Sequence, residues 1–375
     1  MSRHVHRVVA LSFLLACTML VQPVATQSPA AGDRAGAKAM AESVLVVGNF
    51  GPGSPTDAIL RYSGAGRFID ALIPAGAMGL TSTCCVTFGP DGHLYVSDPF
   101  GGRVLRFHGL TGTYLGEFIT PGSGGLFTPL LVVFRDGYAY VGDLGDIFNP
   151  AALPLGAIRR YDADSGAFVD VFVEDDPANR LMGVFDPQHF AFAPDGTLYI
   201  AAEYANRILR VDEATRTLEV FLPASSGFTR PSGLTFGPDG RLYVGSVDRS
   251  EIRRFDFWTG MWETFVPSGS GGLNTPVGIA FGPDGHLYAT STGSSDPLAY
   301  DGAILRYDGR SGASRGALVP LGLGGLSGPR TLSFAATATV CHVPKGNPAR
   351  AKTLTIGYMS ALDHLAHGDE PDACR

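Results

Sequence analysis

The chain has 375 residues, 45% of them hydrophobic and 17% charged, with 50 Gly and 26 Pro. This is enough apolar material for a substantial core, and the charge content is low for a cytosolic globular protein. A formal net charge of −7 gives no electrostatic reason to expect nucleic acid as a partner.

Read from the N-terminus, Arg3, His4, His6 and Arg7 precede an apolar run through Val8–Val21. That is the layout of a signal peptide over residues 1–26, too short and too early for a membrane span. Cleavage after Thr26 or Ala30 fits it. Leu14-Leu15-Ala16-Cys17 supports an alternative, lipidation at Cys17, which would make the chain an outer-membrane lipoprotein rather than a free secreted or periplasmic protein. Residues 27–42, rich in Ala and Gly, read as a flexible leader. Export puts Cys84, Cys85, Cys341 and Cys374 in an oxidising compartment, where disulfides persist.

From residue 43 to 336 the chain repeats. "CCVTFGPDGHLYVSD" at 84–98, "QHFAFAPDGTLYIAA" at 188–202, "SGLTFGPDGRLYVGS" at 232–246 and "VGIAFGPDGHLYATS" at 277–291 align, with a shorter version, "LLVVFRDGYAYVGD", at 130–143. Each joins an apolar strand to an alternating one across an Asp-Gly turn, the chemistry of a tight hairpin. A third strand follows, carrying Arg61, Arg106, Arg160, Arg210, Arg254 or Arg306, and a fourth comes after a further turn, as in "TGTYLGEFI" and "TGMWETFV". The regular arginines read as structural, paired with the turn Asp residues or covering sheet edges. Four short antiparallel strands per unit predict an all-β, six-bladed β-propeller. The first blade, beginning at "SVLVVGNF", lacks its own first strand, and "GPRTLSF" at 328–334 has the register to supply it. A C-terminal strand completing the N-terminal blade would close the ring and remove exposed sheet edges.

The FxPDGxLYVxD…ILRx pattern resembles the NHL and SMP-30/gluconolactonase-like propellers and the related streptogramin-lyase-like proteins. The resemblance implies the propeller fold; these repeats serve enzymes, binding modules and scaffolds alike. In a propeller the first strands line the axis, where this register places Arg330, Cys84, Leu130, Gln188, Ser232 and Val277. The lactonases of this group imply a metal-binding Asn in a Pro-Asn-Gly setting, and the nearest match here is Pro231-Ser232-Gly233. Serine is a poor ligand for a hard cation, so a complete lactonase set is missing.

The ends of the second strands carry Asn49, Asp98 and Asp143 in three consecutive blades, a candidate Ca²⁺ or polar-ligand site at the channel mouth. The plainer reading is that a carboxylate at a strand end satisfies backbone N–H groups in a turn. Long loops at 51–57, 144–156 and 292–302 gather on the same face, with Phe148, Tyr300 and His189 as candidate contacts. Cys84-Cys85 reads either as a vicinal disulfide or as two thiols, since adjacent strand residues face opposite ways. No sequence-local nucleophile–base arrangement or metalloprotease, dithiol or phosphate-loop motif is present.

Residues 337–375 belong to no repeat. Cys341 and Cys374 bracket a segment that one disulfide would staple. His364 and His367, three apart on a short helical turn, form a second candidate metal site with His342 and Asp369 nearby. This tail resembles a short Cys/His module at the ends of various exported bacterial proteins. The likeness rests on Cys341-His342, Gly346-Asn347-Pro348, His364-Leu365, His367-Gly368-Asp369 and Cys374, and departs at Lys345 and Lys352. The leading expectation is therefore an exported scaffold that binds a protein partner or a small polar ligand on its loop-rich face. The tail is expected to serve as a stapled surface module. The alternative is a divalent-cation-dependent hydrolase or lyase.

Overall fold

The computed structural model describes residues 31–49, 57–83, 85–146, 156–174, 186–212, 215–292, 302–344 and 350–374. The repeated segments fold as their alternation dictates, into six four-stranded antiparallel sheets among the described residues. The first pairs Pro329–Ala335 with Val44–Asn49, then Ala58–Ser63 and Phe68–Ile73. The second runs Cys85–Phe88, Leu94–Asp98, Arg103–Phe107 and Tyr114–Ile119, and the third Pro129–Arg135, Tyr138–Asp143, Ala157–Asp162 and Phe168–Glu174. Pro187–Phe192, Leu198–Ala202, Arg207–Val211 and Leu218–Leu222 form the fourth. The fifth is Pro231–Phe236, Leu242–Ser246, Glu251–Asp256 and Met261–Val266, and the sixth Ile279–Phe281, Leu287–Ser291, Ala303–Tyr307 and Ser314–Val319.

Burial grades across each sheet. Second strands such as Leu94–Asp98 are buried throughout, whereas fourth strands such as Tyr114–Ile119 alternate and expose one face. Apolar clusters lie between sheets rather than within them. Tyr95, Val104 and Phe118 of the second sheet pack on Val132, Val141 and Tyr161 of the third, and Leu45, Val47 and Leu60 of the first pack on Tyr288, Ile304 and Val319 of the sixth. Burying both faces of each sheet in this way supplies most of the stabilisation, at roughly 25 cal/mol per Å² of apolar surface.

The Asp-Gly turns carry more than chain reversal. Gly92, Gly240 and Gly285 take left-handed φ of 77°, 74° and 72°, which the turn requires and other residues resist. The preceding Asp91, Asp239 and Asp284 each accept from the hydroxyl of the following strand's tyrosine (Tyr95, Tyr243 and Tyr288), at 2.9, 2.9 and 2.8 Å. Arg106 and Arg306 close on the same carboxylates and lie over Tyr95 and Tyr288. Elsewhere the repeated arginine pairs with an acid of the fourth strand, Arg61 and Arg160 with Asp70 and Asp170, Arg210 and Arg254 with Glu219 and Glu263, and Arg254 also lies 3.8 Å from the turn Asp239. The expected structural role therefore takes two forms, decided by where each repeat keeps its acid.

Two segments differ from or extend the reading of the sequence. Residues 31–41, read as part of a loose leader, form the α-helix Ala31–Ala41. Its alanines favour helix, and Met40 anchors it in the cluster between the first and sixth sheets. The C-terminal residues form a three-stranded sheet, Lys352–Gly357, Thr337–His342 and Glu370–Pro371, with the α-helix Tyr358–Ala366 packed on it. A Cys341–Cys374 disulfide staples it, with Cα atoms 4.7 Å apart. Tyr358 docks this appendage on the sheets: its hydroxyl donates to the Gly109 carbonyl and accepts from Arg61 Nη1 at 3.2 Å. Among the described residues no helix is long and apolar enough to cross a membrane.

Candidate functional site

Arg330, Leu130, Gln188 and Val277, drawn from different repeats, line one cavity of about 250 Å³, together with His189, Thr331 and Cys85. This is room for roughly eight waters at the ~30 Å³ each occupies in the liquid. Cys84, and with it the adjacent cysteine pair, lies outside the described residues. Ser232 sits behind the wall rather than in it, 1% exposed, with its Oγ 3.4 Å from both the Val277 carbonyl and His189 Nδ1.

The mouth is made by residues just past the second strands. Pro99, Phe100, Leu144 and Tyr204 contribute to the lining, and Phe100 and Tyr204 are 60% and 65% exposed. Sequence reasoning missed both aromatics. Their signal was position, immediately after the strand ends on the long-loop side, rather than residue type. Phe148 and Tyr300, the contacts expected on that side, lie outside the described residues.

His189 is the most constrained polar group here. Burial, and then the charge of Arg330, push its pKa down to about 4, so the ring is neutral near neutral pH. Its Nε2 is buried with no hydrogen-bond partner among the described residues. A buried unsatisfied nitrogen costs about 1–3 kcal/mol, and a ligand polar group would relieve it.

A second strained group stands on the same sheet. Asp186, 2% exposed, accepts from the Tyr204 backbone N–H at 2.9 Å through Oδ2, while Oδ1 has no hydrogen-bond partner among the described residues. Burial, with a further contribution from Glu203, raises its pKa to about 7. The folded state therefore holds a proton that the unfolded chain has already released, and stability present at low pH is lost as pH rises from about 4 through 7. Asp186→Asn is expected to raise the thermal midpoint at pH 8 and to leave it unchanged near pH 4, measured by calorimetry across that range.

The candidate Ca²⁺ ligands serve another purpose. Asn49 Oδ1 accepts from the Ser327 and Gly328 backbone N–H groups at 2.8 and 3.0 Å, and its Nδ2 donates to the Gly325 carbonyl at 3.0 Å. Asp98 accepts from Thr81 Oγ1 at 2.8 Å and from Arg103 Nε at 3.0 Å. Asp143 Oδ1 takes the Thr128 and Gly145 N–H groups at 2.7 and 3.1 Å, and Oδ2 takes Arg159 Nε at 2.7 Å. Ser246 and Ser291, at the equivalent position, likewise bind the loop entering their own first strand. The position is a staple repeated sheet by sheet. Asp98 and Asp143 join no cluster of three metal-ligating side chains among the described residues.

In the tail His342, His364 and Asp369 come together as expected, and His367 departs from them. His364 does not pair with His367; it meets His342 at Asp369, while His367 Nδ1 donates to the Asp363 carbonyl at 2.7 Å.

No family model matches the chain, and no curated protein does. Solved structures do. A crystal structure of a nidogen/laminin complex is similar over 78% of this chain and 98% of that one, at 14% identity and a TM-score of 0.57. A protein of unknown function from Bacteroides caccae is similar over the same shares, at 12% identity and a TM-score of 0.55. Virginiamycin B lyase from Staphylococcus aureus aligns at 18% identity over 62% of this chain and 68% of that one, with a TM-score of 0.43, too low to bear on the argument. Together with the repeated four-stranded sheets, the first two likenesses define the class of fold as a β-propeller. At these identities they speak for fold alone.

Proposed function

We propose that the chain is an exported, six-bladed, NHL-like propeller, closed by Pro329–Ala335, whose axial cavity binds a small hydroxy-carboxylate. The carrying observation is the composition of that cavity: Arg330 and His189 within otherwise largely apolar walls of Leu130, Leu144, Val277 and Phe100, with the buried His189 Nε2 lacking a hydrogen-bond partner among the described residues. A guanidinium in such surroundings favours a carboxylate, and a neutral imidazole nitrogen can accept from a ligand hydroxyl. Gln188 offers a further donor and acceptor. Six apolar clusters, each spanning two neighbouring sheets, support closure of the ring. Export rests on the signal layout of residues 1–26, with Cys17 the lipidation site if the chain is anchored.

Against the cation-dependent hydrolase stands the engagement of Asn49, Asp98 and Asp143 by their own loops. Calorimetric titration with mandelate and 4-hydroxyphenylacetate tests the binding reading. Wild type is expected to bind at least one of them, and Arg330→Met to weaken it tenfold or more, with His189→Gln intermediate. Equal affinity in wild type and Arg330→Met, or heat from neither acid, contradicts it.

A further inference from the structure

The appendage holds three side chains that converge on one point. His342 ends the strand Thr337–His342, His364 lies in the last turn of the helix Tyr358–Ala366, and Asp369 follows that helix. Both imidazoles direct Nδ1 at the same carboxylate oxygen, Asp369 Oδ2, at 2.9 Å from His342 and 2.5 Å from His364. One ligand atom from each residue lies within 4.8 Å of the other two. Zinc takes such ligands at about 2.0–2.2 Å, so nitrogen and oxygen around one ion stand roughly 3.3 Å apart, and a small spreading of these side chains admits it.

The supports are in place. Asp369 Oδ1 accepts from the Val343 backbone N–H at 2.9 Å, which fixes the carboxylate. The disulfide at Cys341 locks the residue next to His342. His342, His364 and Asp369 face a cavity of about 470 Å³, also lined by Ser360, Asp363 and His367. It leaves access for a metal and a fourth ligand, and Asp363 adds negative charge.

A similar trio, His93, His108 and Asp372, shows what a non-site looks like. There His108 Nδ1 already accepts from the Leu110 and Thr111 N–H groups at 3.2 Å each, and Nε2 faces Asp372 at 3.0 Å, so both ring nitrogens are committed. In the appendage the hydrogen bonds of the two Nδ1 atoms go to one another's shared acid, which a cation can replace.

We propose that His342, His364 and Asp369 bind one divalent first-row transition metal ion, with Zn²⁺ the fitting member, leaving a fourth position open to the cavity. Two imidazoles and one carboxylate suit zinc better than Ca²⁺, which prefers six or more oxygens. This site is independent of the axial cavity, so either can fail alone.

The test uses the full mature chain, stripped with chelator, equilibrated with Zn²⁺ and passed through a desalting column. Elemental analysis is expected to find one zinc per chain, and Co²⁺ substitution to give visible absorption bands of a tetrahedral site. His342→Ala and His364→Ala are each expected to weaken zinc binding tenfold or more, whereas His367→Ala and His93→Gln keep it. Intact disulfide mass and unchanged circular dichroism show that each variant has folded. Independently, Zn²⁺ but not Ca²⁺ should raise the wild-type thermal midpoint. Absence of stoichiometric zinc in the wild type, or full retention in His342→Ala or His364→Ala, would overturn the proposal.

Discussion

Ending the chain at residue 328 is expected to leave it unable to fold, whereas ending it at 336 leaves a folded propeller with a lowered thermal midpoint. The difference is the strand Pro329–Ala335. It pairs with Val44–Asn49 across Leu45↔Phe334 and Val47↔Leu332, and Leu332 and Phe334 pack on the cluster between the first and sixth sheets. Both side chains are partly buried, so losing them costs up to about 1.5–3 kcal/mol each, the range for full burial. Several ladder hydrogen bonds go with them, at roughly 1 kcal/mol apiece. The sum rivals the 5–15 kcal/mol that typically holds a domain together. The deletion also bares the edge of Val44–Asn49, an invitation to aggregate. The longer truncation keeps that strand and loses the Tyr358 contact to Arg61 and the small cluster around Val340 and Tyr358. Soluble yield and thermal unfolding by circular dichroism separate the two. A cooperatively folded chain ending at 328 would contradict the role given to this strand.

Asp143→Ala is expected to cost about 3–5 kcal/mol, the range for removing one partner of a buried ion pair. Asp143 is fully buried and Arg159 is 5% exposed, so the variant strands a guanidinium inside the protein and leaves the Thr128 and Gly145 N–H groups unpaired. Asp98→Ala is expected to cost less. Its partner Arg103 keeps a second acid, Glu117, and some solvent. Chemical denaturation measures both. Neither variant should change the Ca²⁺ content of the protein. A Ca²⁺ bound by the wild type and lost in Asp143→Ala, with stability otherwise intact, would restore the cation reading.

The contrast between these residues and the axial ones explains what the sequence could tell. The repeat, the hairpins and the partner of Val44–Asn49 were legible because each depends on local pattern, and pattern recurs. The first-strand register was legible in the same way: one position in different repeats carried Arg330, Leu130, Gln188 and Val277 into one cavity. The helix Ala31–Ala41 was missed because a short Ala/Gly segment folds only when tertiary contacts such as Met40 support it. Asp98 and Asp143 left two readings open, with loop capping the plainer one, for a different reason. A carboxylate that binds metal and one that caps its own loop share a sequence signal, and only the positions of Thr81, Thr128 and Arg159 separate them. In the tail, the sequence named His364, His367, His342 and Asp369 together; the turn after the helix brings Asp369 to His364 and to His342 at the strand end, and leaves His367 out.

The central claim is that recognition resides in the cavity of Arg330 and His189 and not at the Asn49, Asp98 and Asp143 positions. Native mass spectrometry of the protein isolated from its own host, with no ligand added, tests it most directly. The account predicts a small-molecule adduct on the wild type that is absent from Arg330→Met and retained in Asp98→Asn. An adduct that survives Arg330→Met, or that disappears with Asp98→Asn together with a bound Ca²⁺, would contradict it.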